Sequence, residues 1–153
     1  MAKERSDEIG TLNELIETTI DSVTGYEDAA GNSEAGRFAQ MFRERAGERQ
    51  RVVEELRAEV RRLGGEAEDG GTFLGKTHQR FLDLKAAITG RDDKAIINEV
   101  ERGEDYLKSK WEAALEGGTL SGECRAVVER CYQSVRSGHD QMSQLKHGME
   151  ASS

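Results

Sequence analysis

Arg45, Arg49 and Glu104 are charged residues that fall where helical periodicity puts an apolar seam. Burying an isolated charge is costly, and two opposite charges become tolerable inside a bundle only when they meet with good hydrogen-bond geometry. These positions therefore mark the middle of the molecule as a polar layer. An inward Arg49 opposite an inward Glu104 is expected as a buried ion pair. Tyr26 is expected in the same layer, as a core ring whose hydroxyl hydrogen-bonds to it. Gly25, Gly47 and Gly103 lie mid-helix beside these positions, and each costs about 1 kcal/mol relative to alanine. Close helix approach would account for them, as would space for an ion, a water or a small ligand.

The other reactive residues are scattered. His78, His139 and His147 do not cluster in sequence, and their spacing shows no Ser/His/Asp or Cys/His arrangement. His78 is expected as a partly buried, satisfied histidine, with ligation the alternative. His139, one residue before Asp140, can reach the polar layer or a helix end. Cys124 and Cys131 are seven residues apart on one predicted helix, about 10 Å along its axis, which is too far for a disulfide between them. They read as small core or interface residues, with a redox or intermolecular role as the alternative. The chain carries no phosphate-binding glycine loop, dinucleotide fingerprint or Cys-x-x-Cys zinc pattern.

The elements that must position these residues are helices. The chain has 153 residues and no proline, where average usage of about 5% would supply roughly seven; proline is the residue a helix interior excludes most strongly. One all-α domain over residues 1–153 is expected, its core at about 6–146 and its two ends flexible. A first helix runs from Ser6 or Thr11 to about Ala30 with Ile9, Leu12, Ile16, Thr19, Val23 and Tyr26 inward, and Thr11 with Glu14 matches a capping box. Ser33 can cap a second helix that carries Phe38, Met41, Phe42, Val52, Val53, Leu56, Val60 and Leu63 inward and ends at Gly64-Gly65. Residues 64–92 are too long for a tight turn and contain a short amphipathic piece around Leu74, His78, Phe81 and Leu82. Asp92 or Asp93 caps a third long helix with Ile97, Val100, Leu107, Trp111 and Ala114 on its seam. A final helix from about Ser121 shows Cys124, Val127, Val128, Cys131, Val135, Met142 and Leu145 on one face and frays from about His147. The architecture expected is a left-handed four-helix bundle with a long crossover, containing a short helix, between the second and third long helices.

Charge narrows the partners. The net charge of −8 argues against nucleic acid and anionic membrane surfaces, where concentrated basic charge supplies the affinity. No stretch approaches the roughly 20 apolar residues of a membrane span, and Met1-Ala2-Lys3-Glu4-Arg5 is too charged for a signal peptide. A cytoplasmic protein is expected, and exposed seams on paired helices point to a homo-oligomer, with a dimer its simplest form.

Between Leu12 and Leu115 the chain resembles small bacterial ferritin-like four-helix-bundle proteins of uncharacterised function. The resemblance is carried by Gly25-Tyr26-Glu27-Asp28-Ala29-Ala30, by the run Glu55 to Gly65, by Leu84-Lys85-Ala86-Ala87-Ile88-Thr89-Gly90 and by Glu101-Arg102-Gly103-Glu104-Asp105. It implies the ferritin-like fold and, through the wider superfamily, a dinuclear iron or manganese site built from a carboxylate on each of two helices and a Glu-x-x-His pair on each of the others. This chain has no Glu-x-x-His; Glu101-x-x-Glu104 is the nearest substitute. The candidate ligands on that implication are Asp21, Glu27, Asp28, Glu48, Glu101, Glu104 and His78, with Tyr26 a redox-active neighbour. Arginine does not ligate a metal and repels cations, so Arg49 opposes that assembly. Three readings follow: a non-enzymatic bundle acting through interaction or assembly, in stress physiology as the superfamily suggests; an iron or manganese carboxylate protein handling oxygen, peroxide or iron storage; and a bundle whose polar centre binds a small ligand.

Overall fold

In the computed structural model, which describes residues 2–32, 38–67 and 93–152, the chain forms α1 (Ala2–Asn32), α2 (Ala39–Arg62), α3 (Asp93–Glu116) and α4 (Gly122–Ser152). The described residues are all-α, as the missing proline and the helical periodicity require. None of these helices is long and apolar enough to cross a membrane.

Polar contacts at the helix ends set the directions. Asn13 Nδ2 donates to the Glu66 carbonyl at 3.1 Å, so the start of α1 lies against the end of α2. Glu8 accepts from the Ser121 amide at 3.1 Å at the same end of the bundle, and Arg62 reaches Glu123 there at 3.2 Å. The main packing pairs are α1 with α2, α3 with α4, α1 with α3 and α2 with α4. Each of these pairs is antiparallel, which leaves α2 and α3 as a diagonal. The chain therefore leaves α2 at one end of the bundle and enters α3 from the other. The predicted short helix, His78 and the hand of the connection lie outside the described residues.

The helix ends are closed by local chemistry. After α2, Gly64 adopts φ +86°, a conformation that costs glycine nothing. The Gly64 amide donates to the Arg61 carbonyl at 3.0 Å and the Gly65 amide to that of Val60 at 2.9 Å, the paired bonds of a Schellman motif. At the end of α3, Arg125 Nη1 donates to the Leu115 carbonyl at 2.7 Å and satisfies an acceptor that the helix itself cannot.

Two apolar clusters fill the interior. One gathers Leu12, Leu15, Ile16, Val52, Val53, Leu56, Val60, Leu107, Trp111, Leu120, Cys124, Val128, Cys131 and Val135. The other gathers Tyr26, Ala29, Ala30, Ala39, Phe42, Ala46, Ile96, Ile97, Val100 and Met142. On α2, α3 and α4 the two sets are separated by about two turns, and on each helix the buried residues between them are polar or glycine: Thr19, Asp21, Ser22 and Gly25 on α1, Arg49 on α2, Gly103 and Glu104 on α3 and Gly138 on α4.

Several boundaries differ from expectation. α1 begins at Ala2, so Thr11 sits mid-helix and caps nothing; the pattern continues backward through Glu8, which is buried against the α3–α4 turn. Val23 is half-buried rather than buried, because the inward line of α1 passes through Leu15, Ser22 and Ala29 instead. Phe38, Met41, Leu63, Ala114, Val127 and Leu145 are also half-buried, at the edges of the seams. α4 runs to Ser152. Ser33 and Asp92 lie outside the described residues, while Asp93 opens α3 as an acid in its first turn, where the helix dipole favours it.

Trp111 is fully buried and its Nε1 donates to Thr19 Oγ1 at 3.3 Å. Trp111→Ala should destabilise the fold by about 3–5 kcal/mol in urea titrations. In the wild type, acrylamide should quench Trp111 fluorescence weakly until the chain unfolds.

Candidate functional site: a buried ion pair at the bundle centre

The gap between the two apolar clusters is built from Ser22 and Thr19 on α1, Arg49 on α2, Gly103 and Glu104 on α3 and Gly138 on α4. Helical periodicity places all of them inward, and the short or absent side chains on α1 and α4 leave room for the long one on α2. Thr19 and Ser22 satisfy their own hydroxyl donors on their helix, Thr19 on the Leu15 carbonyl and Ser22 on the Thr19 carbonyl, both at 2.6 Å. Their oxygens can then still accept from other helices.

Arg49 and Glu104 are each 0% exposed. Arg49 Nη1 donates to Glu104 Oε1 at 2.8 Å and Nη2 to Oε2 at 2.6 Å, the bidentate fork that suits guanidinium to carboxylate. Nη1 also reaches Ser22 Oγ and Nη2 the Val135 carbonyl, both at 3.4 Å. The one guanidinium therefore contacts α1, α3 and α4 from its position on α2. Among the described residues Nε has no hydrogen-bond partner despite being buried.

Burial opposes the charge on Arg49, but the charge and hydrogen bonds of Glu104, with Tyr26 and Glu48 adding to them, outweigh it and hold the guanidinium protonated beyond its ordinary range. Arg49 lies over the Tyr26 ring, Cζ 5.7 Å from its centroid, a cation–π arrangement. Burial, followed by the negative charge of Glu104, pushes the Tyr26 phenol well above its usual pKa. Tyr26 is thus a neutral core phenol, packed with its ring centroid 6.1 Å from that of Phe42.

The remaining candidates divide by burial. Arg45 lies at the edge of the layer, bonded to Glu48 Oε1 at 3.0 Å and to Gln141 Oε1 at 2.6 Å. Glu48 also accepts from Ser134 Oγ, so it is held by α2 and α4 and not turned to the centre. Asp21 is buried on α1, whereas Glu27 and Asp28 are exposed. Glu101 is half-buried and pairs with Lys146 at 3.2 Å. His139 does not reach the central layer; its Nε2 lies 2.6 Å from Asp105 Oδ1 and its Nδ1 3.3 Å from Asp140 Oδ1, on the α3–α4 flank. His147 is exposed.

Sequence reasoning missed Gly138. A β-carbon built there would overlap Arg49 Nη2 and stand 3.0 Å from Glu104 Oε2 and 3.2 Å from Arg45 Cδ. The signal was available: Gly138 is a mid-helix glycine three residues after Val135 and four before Met142, on the same face. Gly47, expected to face the layer, is instead exposed with open space around its α-carbon. Gly25 and Gly103 are buried. Both cysteines are free and buried. Burial and a nearby carboxylate, Glu8 for Cys124 and Glu55 for Cys131, push each thiol up to about 12, which leaves little reactive thiolate near neutral pH.

Two sets of substitutions check this geometry by urea unfolding. Glu104→Ala should cost about 3–5 kcal/mol because it strands the Arg49 charge, whereas Arg49→Met with Glu104→Leu should be neutral or stabilising. Gly138→Ala should cost about 1–3 kcal/mol by overpacking, while Gly47→Ala should gain about 0.5–1 kcal/mol.

No curated protein matches the sequence. A family model described as a domain of unknown function, DUF2383, matches residues 7–117, which covers most of α1 and all of α2 and α3 and so includes Ser22, Arg49 and Glu104 but not Gly138. With most of its length covered by that match, the chain belongs to the DUF2383 family, a domain of unknown function.

Proposed function

We propose that the chain is a ferritin-like bundle whose centre holds an ion pair in place of the superfamily's metal, and that it works without catalysis, as an interaction or assembly module. The observation that carries this is the closed Arg49–Glu104 fork: both carboxylate oxygens of the most central acid are taken, by a side chain that carries permanent positive charge. The residues at the centre do not fit a dinuclear iron or manganese site. Of the candidate ligands, Glu27 and Asp28 are exposed, Glu48 is engaged by Arg45 and Ser134, and Gly138 faces the Arg49–Glu104 pair with no side chain to offer.

The ferritin-like assignment is supported by the entry of α3 from the end of the bundle opposite to where α2 leaves, which requires a connection running the length of the bundle. A left-handed bundle with a long crossover between α2 and α3 completes that reading. Cytoplasmic residence, a homodimer and a role in stress physiology belong to the same proposal.

The test is iron oxidation. Fe(II) added in air to the full chain should oxidise no faster than in buffer, and protein purified without chelator should hold no iron or manganese that depends on Glu104. Ferroxidase turnover, or stoichiometric iron or manganese lost on Glu104→Gln, would overturn the closed-centre reading.

A further inference from the structure

We propose that the α3–α4 flank carries a binding site for one divalent cation of the zinc class, made by Glu101 and Asp105 of α3 and His139 of α4. Glu101 and Asp105 are four residues apart, so they stand on one face of α3, and antiparallel α4 brings His139 against that face. One ligand atom from each residue lies within 4.8 Å of the other two. Zinc binds imidazole nitrogen and carboxylate oxygen at about 2.0–2.2 Å, so atoms sharing an ion lie within about 4.4 Å of each other. Half-buried Glu101 and exposed Asp105 need only side-chain adjustments to meet that limit.

The histidine is already arranged as a ligand. Its Nδ1 faces Asp140 at 3.3 Å, and its Nε2 faces Asp105 at 2.6 Å. A carboxylate on the far nitrogen fixes the tautomer and ring orientation of a metal-bound imidazole. With Nδ1–H turned to Asp140, Nε2 presents its lone pair toward Asp105, and a cation takes the place of a proton between them.

Charge both favours and limits the site. Glu101, Asp105 and Asp140 supply three negative charges around a single imidazole. Lys146 engages Glu101 through Oε1 at 3.2 Å, which leaves the second oxygen of that carboxylate as the donor, and Lys108 lies close enough to oppose positive charge at His139. Three protein ligands leave a coordination position for water. One imidazole with two carboxylates suits zinc and its neighbours better than magnesium or calcium, which take oxygen ligands.

The site is separate from the centre, since Glu104 is 0% exposed and Asp105 is 56% exposed, so its test does not depend on the closed ion pair. Asp105 and His139 are, however, the chain neighbours of Glu104 and Gly138. A cation here would clamp α3 to α4 directly outside the central layer and raise the stability of the bundle by mass action.

Calorimetric titration of the metal-free full chain with zinc chloride, paired with thermal melts, tests this. The expected result is one saturable zinc per chain, a melting temperature that rises with zinc, and at least a tenfold loss of affinity in His139→Gln and in Asp105→Asn. Asp105→Asn is an exposed change that should keep the fold, and His147→Gln should bind as wild type. No saturable binding, binding that survives both His139→Gln and Asp105→Asn, or binding lost in His147→Gln would overturn the site.

Discussion

A guanidinium locked to a carboxylate in the dark centre of the bundle is the interaction around which the other helices are arranged. Arg49 needs four helices to be at one height at once: Glu104 for its charge, Ser22 and the Val135 carbonyl for its remaining donors, and Gly138 for the space. The apolar clusters on either side then follow from exclusion. A leucine or valine one turn away on any helix has no place in the charged layer and packs above or below it.

Such a pair contributes little net stability, since desolvating two charges consumes most of what their attraction returns, and here Nε finds no acceptor among the described residues. Its value lies in register. Sliding one helix by a turn would put Arg49 among the neighbours of Val52 or Glu104 among the neighbours of Leu107, and either arrangement leaves a bare charge in an apolar cluster. Two largely aliphatic clusters of similar width would tolerate that slip if the layer between them were apolar. The buried pair therefore makes one alignment of four amphipathic helices far better than its neighbours, at the expense of some stability.

The same layer bears on function. On the proposed reading a central carboxylate committed to arginine is withdrawn from metal chemistry; Tyr26 beside it is held as a neutral phenol by burial and by Glu104. Groups able to meet a ligand are then found on the flanks, where charge is exposed and not yet fully neutralised. The Glu101–Asp105–His139 grouping is of that kind, and it lies beside the layer whose geometry the bundle protects.

Periodicity alone determined much of this protein. The inward positions of Leu12, Ile16, Phe42, Val52, Leu56, Val100, Leu107, Trp111, Val128 and Val135 and the stop at Gly64-Gly65 follow from local spacing, and so does the recognition that Arg49 and Glu104 could not be on the surface. These are properties of one helix at a time. What only the tertiary structure decided are relations between helices. That Gly138 lies on the inward face of α4 could be read from Val135 and Met142, but that the Arg49–Glu104 fork fills the space beside it could not, because both side chains come from other helices. Glu48 could have turned to the centre until Arg45 and Ser134 held it aside, and His139 met Asp105 instead of the polar layer because α3 and α4 pack antiparallel at that height. The length of a helical repeat can be read along the chain, but which side chains share a level in the bundle is set by packing, because residues from 27 to 92 apart in sequence are brought together only when all the seams close at once.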